Sequence, residues 1–162
     1  MKTTLIALTV LFPLSTFAHT IFTISKTYKP KNVLHYEAAI KNCKFVSPFV
    51  SAQWKMGEER GQREGLTSTE KKYLQPKVTY SKDKEFDFTL DAVKELKVSG
   101  NDLREIRVRM GKNCKAKAFT EYKGQEIELT NINLKTNLLT VTGATITGLK
   151  PDGSRFILNL KK

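Results

Sequence analysis

Over most of its length the chain alternates apolar and polar residues with a period of two, the pattern of strands that bury one face. Phe86, Phe88 and Leu90 alternate with Glu85, Asp87 and Thr89, and Ile106, Val108 and Met110 alternate with Glu105, Arg107 and Arg109. Ile127 and Leu129 alternate with Glu126 and Glu128, and Phe156, Leu158 and Leu160 continue in the same style. Val50, Ala52, Trp54 and Met56 share one face, with Ser51, Gln53 and Lys55 opposite. Turn residues separate these runs at 28–32, 99–102, 123–125 and 150–154. Short alternating strands at that spacing predict a mostly β fold, an antiparallel sandwich or a closed, lipocalin-like barrel. No internal repeat stands out.

One segment departs from the alternation. Thr67 followed three residues later by Glu70 fits a capping box, in which the hydroxyl takes an orphan helix amide and the carboxylate reaches back to the cap. Lys71 and Lys72 suit the negative end of a short helix over 67–75, and Pro76 stops it. Such a helix plugs the end of a barrel or covers a sheet edge. Before it lies a Gly-rich charged loop, entered from a strand that carries Trp54 and Met56.

Residues 54–74 resemble a bacterial family defined only as domain of unknown function 4833. The matching positions are Trp54, Gly57, Glu58, Arg63, Glu64, Leu66, Thr67 and Glu70. A looser similarity extends to the opening strands and to 124–132 and 148–160. The resemblance implies an exported, β-rich domain and supplies no reaction. Two readings of the loop stand side by side. In one, Arg63 bridges Glu70 or Glu58 and pins the loop while Trp54 fills the core beneath. In the other, Trp54, Glu58, Arg63, Glu64 and Glu70 rim a ligand mouth at the barrel end.

The start of the chain sets the expected compartment. Lys2, the apolar run Leu5 to Leu14 and the small residues Thr16 and Ala18 read as a signal peptide over 1–18. The run is shorter than the ~20 apolar residues that span a bilayer, so no membrane anchor is expected after cleavage. A single mostly-β domain over 19–162 follows, in the periplasm or secreted. Export also gives Cys43 and Cys114 a role, because two lone cysteines in an oxidising compartment pair. Their bridge closes a loop of roughly 70 residues, worth about 4 kcal/mol in the chain-entropy picture. No third Cys or His stands at ligand spacing, so a zinc site is not expected.

Lys and Arg number 28 against 16 Asp and Glu, a formal charge of +12, carried by isolated lysines rather than a basic run. That balance suits anionic envelope components, such as lipid headgroups or acidic glycans. Nucleic acid is not expected, since no matching motif accompanies the charge. Catalytic signatures are missing as well: there is no G-x-S-x-G elbow and no phosphate-binding glycine loop. A copper brace would need His19 and His35 together. A hairpin around 28–31 would place His35 opposite residue 24, leaving the two histidines roughly 16 Å apart at the usual strand rise. The sequence therefore predicts a monomeric, non-catalytic binding or structural module without cofactor or metal. The alternative is a glycan-directed hydrolase using acids of the 57–70 loop, such as Glu58 and Glu64.

Overall fold

The computed structural model describes residues 16–27, 32–56, 62–94, 103–136 and 141–161. The first fifteen residues of the expected signal, the turns at 28–31 and 99–102, and Gly57 and Glu58 of the loop lie outside them.

Among the described residues eleven strands form one curled sheet. In chain order they are β1 (Phe17–Lys26), β2 (Val33–Lys41), β3 (Lys44–Lys55), β4 (Arg63–Gly65), β5 (Lys77–Lys82), β6 (Glu85–Thr89), β7 (Ile106–Met110), β8 (Ala116–Tyr122), β9 (Gln125–Thr136), β10 (Val141–Leu149) and β11 (Arg155–Lys161). Among the described residues two α-helices interrupt them, α1 (Ser68–Leu74) and the single turn α2 (Asp91–Lys94), with one 3-10 turn at Lys112–Cys114. The fold is mostly β and barrel-like, as the alternation predicts.

β9 organises the whole. One of its edges pairs antiparallel with β8 near its start and parallel with β1 near its end, while β10 and then β11 extend the other edge. Two wings therefore diverge from β9, one running β1-β2-β3-β4 and the other β8-β7-β6-β5. They curl until their apolar faces meet. Phe22 stacks on Tyr36 with ring centroids 4.5 Å apart, both stack on Phe88 of the opposite wing at 6.2 Å, and Phe45 meets Phe86 edge-on at 4.8 Å. The inward residues of every predicted alternation are among the buried or half-buried positions. The space left among Val93, Leu103, Ile106 and Ile146 is about 10 Å³, no larger than one water needs.

α1 lies across the core as a tie. Leu74 is buried, and the hydroxyl of the fully buried Tyr36 donates to the Leu74 carbonyl at 2.7 Å. That bond meets one of the carbonyls a helix end leaves without a partner. Burial holds the Tyr36 phenol far above its ordinary pKa, so it acts only as a hydrogen-bonding group.

At the chain's start β1 includes Phe17 and Ala18, both exposed and paired with Ile40 and Ala39. Cleavage after Ala18 would leave His19–Lys26 of the strand, still paired with β2 from His19↔Ala38 onward. Among the described residues no helix is long and apolar enough to cross a membrane.

Candidate functional site

The capping box forms as the spacing requires. The Glu70 amide donates to the Thr67 hydroxyl at 3.3 Å, and the Thr67 amide donates to the Glu70 carboxylate at 3.0 Å. Lys26 reaches the same carboxylate at 3.3 Å and lies 4.3 Å above the Trp54 ring. Burial pushes the Glu70 carboxyl upward, but the Thr67 bonds, Lys26 and Trp54 outweigh it and hold the group below its ordinary range. Trp54 itself is only 6% exposed. This cluster fastens helix to strand.

Arg63 does not join it. β3 and β4 pair with Trp54 opposite Glu64 and Lys55 opposite Arg63, so Glu64 shares the Trp54 side and Arg63 projects from the other face. There Arg63 crosses β3 and donates to Glu37 of β2 at 2.9 Å, with Gln53 at 3.4 Å. Of the two expected partners of Arg63, Glu58 lies outside the described residues and Glu70 pairs with Lys26 on the other face, while Arg63 pairs with Glu37. Glu37 is 4% exposed against 48% for the Arg63 side chain. Arg63 covers a carboxylate that the sheet has already desolvated. Beside it His35 sits opposite Thr23, one residue from the expected position, with its Nδ1 3.3 Å from the Thr20 hydroxyl. Burial first, then Lys55, holds the His35 pKa below its ordinary value, against the pull of Glu37. Of the described charges, Arg63 and Glu64 therefore lie on opposite faces of the sheet, while Glu70 is bonded within the capping box; Glu58 lies outside the described residues.

The outer face of the other wing is laced by ion pairs. Arg107 contacts Glu85 at 3.2 Å and Asp87 at 3.3 Å, and Arg109 passes over Phe119 to a bidentate pair with Glu126 at 2.7 and 2.8 Å. A groove of about 520 Å³ beside them is lined by Arg104, Glu105, Arg107, Phe119, Glu121 and Glu126. Burial raises the Asp87 pKa despite Arg107. Among the described residues no three His, Cys, Asp or Glu side chains converge as metal ligands.

The densest concentration of like charge is elsewhere. Cys43 and Cys114 form the expected disulfide. Each sits in the same tetrapeptide, Lys41-Asn42-Cys43-Lys44 and Lys112-Asn113-Cys114-Lys115, a duplication only four residues long. In both copies the Asn and the Cys take positive φ, between 52° and 61°. Left-handed geometry at two successive residues reverses the chain tightly, and Asn is the residue after Gly that tolerates it best. A third turn joins them. The Phe45 amide donates to the Asp83 carbonyl and the Met110 amide to the Lys84 carbonyl, both at 2.8 Å, while Lys44 pairs with Asp83 at 2.6 Å. The segments 41–44, 82–84 and 111–115 thus meet at one end of the molecule, with six lysines and the single acid Asp83. All six except Lys41 are exposed. Lysines far apart along the chain become one basic pole.

Compared with known protein families, curated proteins and solved structures, the chain matches none.

Proposed function

We propose that the chain is an exported, non-catalytic binding module, periplasmic or secreted, that docks through its lysine pole onto an anionic component of the cell envelope. The observation that carries this reading is the disulfide-linked pair of Lys-Asn-Cys-Lys turns, with the Lys82-Asp83-Lys84 turn held against them. A lysine close to an anionic bilayer surface contributes about 1 kcal/mol, so several held on one rigid pole suffice for reversible docking. The export motif agrees with an envelope location. The cross-link keeps the pole assembled in an oxidising compartment.

Co-sedimentation with lipid vesicles tests it. The protein is expected to pellet with mixed phosphatidylglycerol–phosphatidylcholine vesicles or with lipopolysaccharide, and to be released as salt rises. Equal recovery on phosphatidylcholine alone would contradict the proposal.

A further inference from the structure

In a chain of net charge +12, the sheet presents a face with no charge across four neighbouring strands. One row, running across the strands, places Thr23, Asn131, Thr147 and Ile157 side by side. The next row places Ser25, Asn133, Thr145 and Asn159. All eight alternate with buried neighbours such as Ile24, Ile132 and Ile146, so they occupy the side away from the core. Charges return at the ends, with Lys135 and Lys161 at one and Glu128 and Arg155 at the other.

The side chains of this face are held in place by one another. Asn131 donates to the Thr23 hydroxyl at 2.9 Å, Asn133 to the Ser25 hydroxyl at 2.9 Å, and Thr145 to the Asn159 carbonyl at 2.7 Å. Each amide carries two N–H donors and an oxygen with two lone pairs, so donors and acceptors remain for a partner. Because rotamers are already fixed, little further entropy is lost on binding. A solvated strand face ordinarily carries charge, as the ion-paired outer face of β6, β7 and β8 does.

We propose that this face binds an extended, uncharged β-linked glycan laid across the strands. A neutral lattice offers nothing to the anions that the lysine pole attracts, whereas sugar hydroxyls match it as both donors and acceptors. The rows step about 4.8 Å from strand to strand. That is close to the advance of one sugar in an extended β-1,4-linked chain, so each strand meets one sugar. Ile157, 51% exposed at the outer edge, gives a sugar ring an apolar contact. This surface is separate from the pole and does not depend on the proposed docking there.

The experiment is nitrogen-15 NMR of the full mature protein titrated with chitohexaose and, separately, cellohexaose. Shifts are expected in β1, β9, β10 and β11, with binding unchanged by added salt and by Lys44→Glu. Thr145→Val with Thr147→Val keeps shape and removes two hydroxyls, and should weaken binding about tenfold while melting stays near the parent's. Three results would overturn the proposal: no shifts at saturating oligosaccharide, shifts confined to the 41–44 and 111–115 turns, or sheet-face shifts that track self-association by size-exclusion instead of glycan. Salt-sensitive vesicle binding is measured on the same sample, so failure of the pole leaves this outcome intact.

Discussion

Glu37 is the residue on which the outer face of the β1–β4 wing is most exposed to error. Its carboxylate is buried on a strand, and Arg63 supplies the cation that compensates it. Removing Arg63 leaves a desolvated acid without its partner, which costs far more than losing a surface pair. Because half of the Arg63 side chain is open to water, Arg63→Ala is expected to cost about 1–3 kcal/mol by chemical denaturation. Adding Glu37→Gln should recover most of that loss; a second variant no more stable than the first would contradict the pairing. Glu70 makes a pH prediction. Its folded pKa lies below the ordinary value of 4.5, so its contribution is present above that value and lost as pH falls through the folded pKa. Glu70→Gln should flatten the acid limb of stability between pH 4.5 and the folded pKa. His35 acts over a higher range. Its lowered pKa means the unfolded chain binds its proton first, so stability declines as pH drops below the ordinary value of 6.5.

At the level of elements, what could be read in advance is what depends on near neighbours. The capping box spans three residues and uses only its own side chains, so Thr67, Glu70 and Pro76 delimit α1 before any fold is known. Thr67→Ala should cost about 1 kcal/mol with the fold intact, read as a shift of the thermal midpoint. Tyr36→Phe probes the other end, where loss of the bond to the Leu74 carbonyl should cost about 1 kcal/mol. The alternation of β6, β7 and β9 was equally plain. The partner of Arg63 was not, because it follows from the register of three strands, in which Lys55 opposes Arg63 and Glu37 opposes Ser51. Nor was the parallel pairing of Thr23 with Asn131, more than a hundred residues on, since nothing local selects it. The twin Lys-Asn-Cys-Lys turns were readable in principle; a scan for cysteines in equal surroundings finds them.

At the scale of the molecule, the disulfide links the β2–β3 turn of one wing to the β7–β8 connection of the other, opposite the helices that tie the wings elsewhere. Cys43→Ser with Cys114→Ser should lower stability by about 4 kcal/mol at most, the chain-entropy ceiling for a loop of this length. Undiminished stability in the double variant would contradict that account. The same link holds the lysines of both turns together, so charge that is scattered along the chain is gathered at one end. Vesicle binding by two variants of equal net charge measures this most directly. One replaces Lys41, Lys44, Lys112 and Lys115 by Ala; the other replaces Lys71, Lys72, Lys150 and Lys161. The first should lose binding to phosphatidylglycerol-containing vesicles and most of its salt dependence, while the second keeps both close to the parent. If the two variants weaken binding equally, total charge rather than the pole is responsible, and the central claim fails.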